Sequence, residues 1–280
     1  MLVQRIAAFS DGETGGNPAG VVITETLPDS VTMQAVAAEV GYSETAFAAP
    51  EGEGWRVRYF APAMEVPFCG HATIALGAAL ALRHGDGRFG LRLNEASITV
   101  EGWRAEGRLR AALQSPPPRS APAEKNLISR ALALFGWDVT ALDSRIPPAI
   151  AEAGARHLVL ALRDHGVLKA MRYDLAAGRE LMATAGIVTI ALVHAASPTL
   201  FHARNAFAIG GVEEDPATGA AAAALGGYLR DLGWPLDGNI LIHQGDEMGM
   251  PSRLEVAITS GRGNPVRVSG QARVMDPARG

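Results

Sequence analysis

The sequence predicts an α+β protein of two pseudo-symmetric domains, each a mostly antiparallel, barrel-like sheet around one central buried helix. Three observations lead there. Residues 65–80 (EVPFCGHATIALGAAL) align without a gap on residues 214–229 (EDPATGAAAAALGGYL), pairing Glu65 with Glu214, Pro67 with Pro216, Gly70 with Gly219, Leu76 with Leu225 and Gly77 with Gly226 at an offset of 149 residues. A repeat at about half the chain length marks a duplicated unit. The segment after the glycine is apolar nearly all round in both copies, and a helix without a polar face has to be enclosed by protein. Its Ala and Gly content keeps it thin enough for a curved sheet to close about it. Finally, Ser115-Pro116-Pro117-Pro118 interrupts the chain near its middle, because consecutive prolines withhold amide donors and favour extended backbone. The expected domains are therefore 1–116 and 117–267, with 268–280 completing the last strand of the first.

Taken in order, 6–9 and 21–24 read as strands. Residues 30–40 read as a helix that Asp29 or Ser30 starts and Gly41 ends. Strands follow at 45–49 and 55–60, then the first apolar helix from Gly70. Beyond the prolines come a helix near 126–135, a strand at 157–162, a helix near 174–184, strand-like stretches at 187–193 and 200–207, and the second apolar helix over 219–229.

Composition narrows the function. The 280 residues are 48% hydrophobic and 19% charged with a net charge of −4, so no polyanion, nucleic acid included, is expected as partner. The longest apolar run, 72–82, falls short of the roughly 20 residues that cross a bilayer, and the first residues lack the pattern of a secretory signal. A cytoplasmic location, with no membrane association, is the expectation. One cysteine allows neither an internal disulfide nor a thiolate metal cluster. The seven histidines, His71, His84, His157, His165, His194, His202 and His243, show no i, i+4 pair and no HExxH, so no metal is expected.

Each repeat places E-x-P-x-x-G ahead of its helix. The first turn of a helix presents backbone N–H groups without intrahelical partners, and the summed peptide dipoles favour negative charge there. A glycine lets a ligand approach that backbone closely. Two such heads facing one cleft would hold a carboxylate and stabilise an enolate-like charge beside it.

Several stretches then stand in order along nearly the whole chain: Gly16-Asn17-Pro18-Ala19-Gly20-Val21-Val22, Tyr42-Ser43-Glu44-Thr45-Ala46-Phe47, Phe60-Ala61-Pro62 leading to Cys69-Gly70-His71-Ala72-Thr73, Glu214-Asp215-Pro216-Ala217-Thr218-Gly219, and Gln244-Gly245 ahead of Pro251-Ser252. Together they resemble the phenazine-biosynthesis PhzF-like isomerase family. The resemblance implies the diaminopimelate epimerase-like fold and a cofactor-free homodimeric enzyme of biosynthesis with its active site between the two domains. It also implies a small carboxylic acid, cyclic or amino, as substrate.

The resemblance maps the family's catalytic glutamate onto Glu44 and places His71 and Asp215 in the site. Read as a residue, Glu44 starts a strand beside apolar Ala46 and Phe47, where a carboxylate can both accept and donate a proton. A surface glutamate is the plainer reading of that position alone. Asp215 has a competing role in capping backbone amides; Asn17 is expected to bind the substrate, facing the ligand, and its competing role is to form its turn. The helix heads supply the expected binding residues: Cys69, Gly70, Ala72 and Thr73 in the first half, Thr218, Gly219 and Ala220 in the second. Two-cysteine racemases of the superfamily carry a thiol before each glycine; here those places are Cys69 and Thr218, and a threonine hydroxyl is too weakly acidic to serve as the second base. Cys69 acting alone, helped by the helix N-terminus, is the alternative, as is a dimer that binds a small molecule without turning it over. Ala220 stands where family members often carry serine, and Met250 where Gly-Arg-Pro-Ser is usual, so the expected substrate differs from the namesake dihydro-hydroxyanthranilate.

Overall fold

The computed structural model describes residues 1–235 and 238–275. The chain divides into two compact units, Met1–Gln114 together with the chain from Ser269 onward, and Ser115–Val268. Residues 276–280 of the expected closing strand lie outside the described residues.

In the first unit, β1 (Gln4–Ser10), β2 (Asn17–Ile23), α1 (Ser30–Val40), β3 (Thr45–Glu51), β4 (Gly54–Phe60), the two-residue β5 (Glu65–Val66), α2 (Gly70–His84), β6 (Gly87–Arg92), β7 (Ser97–Ala105) and β8 (Arg108–Gln114) follow one another. Along β1-β2-β3-β4-β6-β7 the pairings run antiparallel, parallel, antiparallel, parallel, antiparallel. β8 adds antiparallel to β7. α2 packs on β1, β2, β3, β6, β7 and β8, and every residue from His71 to Ala81 is buried. Helix and sheet meet backbone to backbone. A Cβ on Gly77 would stand 2.5 Å from Val100 Cγ2, and one on Gly102 would stand 2.2 Å from the Gly77 carbonyl oxygen. α1 lies outside the sheet, where Met33 and Ala37 join Val22, Phe47 and Phe60 in a second cluster. Its ends are as the sequence suggests: Asp29 Oδ1 accepts from the Thr32 amide at 2.9 Å, and Gly41 closes it at φ 72°.

The second unit contains β9 (Arg119–Pro122), α3 (Lys125–Phe135), β10 (Ala149–Glu152), β11 (Arg156–Ala161), the single-turn α4 (His165–Lys169), α5 (Leu175–Ala185), β12 (Thr189–Ala195), β13 (Leu200–Ala206), the short β14 (Glu214–Asp215), α6 (Gly219–Leu232), β15 (Asn239–Gln244) and β16 (Ser252–Ile258). Along β10-β11-β12-β13-β15-β16 the pairings again run antiparallel, parallel, antiparallel, parallel, antiparallel. The duplication read from two helices therefore extends to whole sheets, with β5 and α2 answering to β14 and α6. α6 packs on β9, β10, β11 and β16, and its residues Ala221–Leu229 are buried. Gly226 repeats the part of Gly77, with 2.9 Å between its would-be Cβ and Val256 Cγ1. On the outside, α3 and α5 cover the sheet with Phe135, Leu181 and Met182 against Leu158, Leu160 and Leu192. The final strand, β17 (Val266–Val274), pairs antiparallel with β1 from Ile6↔Val274 to Ser10↔Gln271 and also with β8. The strands of the first unit thereby close round α2.

Several elements carry no clear pattern in the sequence. β6, GRFGLR, buries only Leu91 fully, so neither alternation nor an apolar run announces it. α4 is too short for a helical period to register.

Candidate active site

The residues gathered at the head of α2 come from three elements. Cys69 precedes the helix in extended conformation (φ −144°, ψ 119°) and its side chain does not cap it. His71, two residues further on, is 6% exposed, and Cys69 8%. The loop between α1 and β3 brings up Ser43 and Glu44. Its backbone is tied down where the Gly20 amide donates to the Glu44 carbonyl at 3.2 Å.

The imidazole is the centre of this group. His71 Nε2 lies 3.4 Å from Glu44 Oε2 and 3.3 Å from Ser43 Oγ, while Nδ1 lies 3.3 Å from Cys69 Sγ. Glu44 keeps 17% of its side-chain surface, so its carboxylate is close to His71 and still reachable by a ligand. Carboxylate, imidazole and thiol form a continuous chain along which a proton can move. The same three donor atoms lie within 4.8 Å of one another, a set that can also take a thiophilic ion.

Thr73 and Ala72 are fully buried. The Thr73 hydroxyl donates to the Cys69 carbonyl at 2.7 Å and meets Tyr59 Oη at 2.6 Å, so its side chain braces the helix head from below. Burial pushes the Tyr59 hydroxyl far up, which keeps it a hydrogen-bond donor. Gly70 is half-buried at the head itself. Asn17 is 2% exposed at the start of β2, where Gly16 at φ 83° comes so near β1 that a Cβ would be 2.8 Å from the Ala8 carbonyl oxygen.

In the second unit the head of α6 is built around Asp215, Thr218 and Gln244. Thr218 Oγ1 donates to Asp215 Oδ2 at 2.6 Å. Gln244 donates through Nε2 to the Asp215 carbonyl at 2.6 Å and accepts the Thr218 amide at 3.3 Å. Thr218, the counterpart of Cys69, has its hydroxyl committed to this network. Asp215, Thr218, Gly219 and Ala220 all retain partial exposure.

Both heads are anchored by the same device. Glu65 accepts from Arg58 Nε at 2.7 Å, and the Arg58 guanidinium holds the Glu65 carboxyl below its usual range. Glu214 accepts from Arg204 Nε at 2.9 Å in a pair less than 10% exposed on either side. The remaining Arg204 hydrogens reach the carbonyls of Lys169 at 2.8 Å and Met171 at 3.2 Å, so the buried charges are satisfied. The repeat identifies the two glutamates; their arginine partners, on β4 and β13, have no signal in spacing. Ser43 and Gln244 are further residues of these sites, and both stand inside the motifs quoted above.

Comparison with known proteins gives a consistent picture. The family described as phenazine biosynthesis-like protein matches residues 6–277. An uncharacterized isomerase of Deinococcus radiodurans is 33% identical, covering 96% of this chain and 91% of its own. Among solved structures, a phenazine biosynthesis protein of the PhzF family from Bacillus anthracis superposes with a TM-score of 0.87 at 22% identity, covering 98% of this chain and 96% of that one. PA4716 of Pseudomonas aeruginosa, described as a predicted epimerase, does so with 0.84 at 25% identity and the same coverage.

Proposed function

The chain belongs to the phenazine biosynthesis-like protein family, and on that premise we propose that it is an isomerase that moves a proton and a double bond on a small carboxylic acid, with Glu44 as general acid and base. The observation that carries this reading is the Glu44–His71–Cys69 cluster at the head of the enclosed helix α2. Glu44 takes the proton from carbon, the electron pair enters the conjugated system, and the negative charge that develops is stabilised by the amide end of the helix. The same carboxyl then returns the proton to another carbon, so the double bond has shifted and no oxidant or reductant is consumed. His71 holds the carboxylate in place, and Asp215 with the amides near Gly219 takes part in binding. A homodimer, measurable by light scattering, and independence from any cofactor belong to the same proposal.

The Cys69–His71 contact at 3.3 Å favours a second reading, a one-thiol epimerase in which Cys69 is the base. One experiment separates the two. A panel of small cyclic and amino acids is incubated with the protein in deuterated water, and carbon-bound label is read by mass spectrometry. Glu44→Gln is expected to lower incorporation by roughly 10²–10⁴-fold, with Cys69→Ala close to wild type. The opposite ranking assigns the chemistry to the thiol. Label in no member of the panel, with ligand binding retained, overturns both in favour of a binding protein.

A further inference from the structure

The histidines that are scattered along the chain are not scattered in the second unit. His194↔His202 are partners across β12 and β13, and His202↔His243 are partners across β13 and β15. Cross-strand partners point to the same face of a sheet, so three adjacent strands carry a row of imidazoles on one face. His165, at the start of α4, stacks on His202 with ring centroids 4.0 Å apart and on His194 at 5.4 Å. The His243 ring meets that of His202 edge-on at 5.4 Å. The turn after β15 adds Asp246, and one ligand atom each from His202, His243 and Asp246 lies within 4.8 Å of the others.

From this arrangement we propose that His202, His243 and Asp246 bind one divalent zinc-class ion, with His165 or water as fourth ligand. Two imidazoles and a carboxylate are a donor set of the borderline type that zinc prefers. Tetrahedral zinc with bonds of about 2.1 Å separates its ligand atoms by roughly 3.4 Å, so the donors have to close by little more than 1 Å. Asp246 keeps 37% of its side-chain surface and sits on the single turn after β15. Arg253 holds that carboxylate at 2.9 and 3.3 Å; an ion pair of this kind contributes little, so metal binding has only a weak contact to share or displace.

The position of the ion gives it a role. His243 and Gln244 are neighbours on β15 and point to opposite faces; Gln244 holds the head of α6. A Cβ on Gly245 would lie 2.8 Å from the Pro216 carbonyl oxygen, so the turn bearing Asp246 packs directly on the loop before α6. Zinc bound behind this strand therefore clamps the turn that supports Asp215 and Thr218. This inference stands independently of the isomerase reading.

The test uses the full chain, stripped of metal and carrying Cys69→Ser, so that the thiol cluster of the first unit cannot contribute its sulfur. Calorimetric titration with ZnCl2 is expected to show one equivalent bound, with affinity reduced at least tenfold by His243→Gln and by Asp246→Asn and unchanged by His84→Gln, which lies beside Trp55 in the other unit. Circular dichroism guards against misfolded variants. In the same Cys69→Ser background, Co2+ is expected to give ligand-field bands that either substitution removes. Amide exchange of residues 245–250 is expected to slow with zinc. No stoichiometric binding, or binding that neither substitution weakens, overturns the proposal.

Discussion

Asp215 combines two roles that a single substitution can divide. Its Oδ2 accepts the Thr218 hydroxyl, a contact that asparagine preserves, whereas the charge that the proposed binding role uses is lost. Asp215→Asn is therefore expected to leave the melting temperature within a degree or two and to lower turnover at least tenfold, while Asp215→Ala costs about 1 kcal/mol as well. Denaturant titration beside the deuterium assay measures both; equal activity of wild type and Asp215→Asn removes the residue from the site. Tyr59→Phe takes the partner from Thr73 in a fully buried pair and is expected to destabilise by roughly 1–3 kcal/mol. At this scale the sequence was informative where motifs are short and contiguous. Glu44 and His71 are 27 residues apart, yet each sits in a stretch recognisable by itself. The contact between them and the tie from Ser43 depend on how the α1–β3 loop returns to α2, which no local pattern encodes.

Elements obey the balance between intrinsic preference and packing. Alanine is favoured over glycine inside a helix by about 1 kcal/mol, so Gly77→Ala would stabilise α2 were it exposed. Its Cβ would instead stand 2.5 Å from Val100 Cγ2, and overpacking of that kind costs about 1–3 kcal/mol. Packing wins, and the variant is expected to unfold at lower urea than wild type. Gly226→Ala, with 2.9 Å to Val256 Cγ1, is expected to lose less. A rise in stability for Gly77→Ala would contradict the close approach of α2 to β7. α1 was legible from its capping aspartate and closing glycine, and α2 and α6 from their glycine-marked starts and unbroken apolar runs. β6 and β8 were not, since GRFGLR and RLRAALQ carry arginines among their apolar residues and neither alternates cleanly.

The whole molecule responds to acid in one direction. His157 is 1% exposed. The Thr189 hydroxyl donates to Asn205, so His157 Nδ1 donates to Thr189 at 2.8 Å, and the buried Nε2 has no hydrogen-bond partner among the described residues. Burial drives its pKa from 6.5 down to about 4. The folded state thus binds the proton less readily than the unfolded one, and stability present above pH 6.5 is lost as the pH falls from 6.5 toward 4, by on the order of 3 kcal/mol. Glu65 and Asp143, held low by Arg58 and Arg145, add losses of the same sign below pH 5. Melting temperature against pH is expected to decline from pH 6.5, and His157→Gln to flatten the upper part of that decline. An unchanged slope in the variant would place the acid sensitivity elsewhere. By itself the sequence determined the duplication, the two enclosed helices and the glycine-marked heads, because repeats and helical periods are written in residues close along the chain. Tertiary structure alone decided that His194, His202 and His243 form one row and that Arg58 and Arg204 anchor matching glutamates. The reason is physical: strand pairing makes neighbours of residues on separate segments, and the parallel pairing of β13 with β15 leaps the whole of α6, so the contacts it creates have no spacing to read.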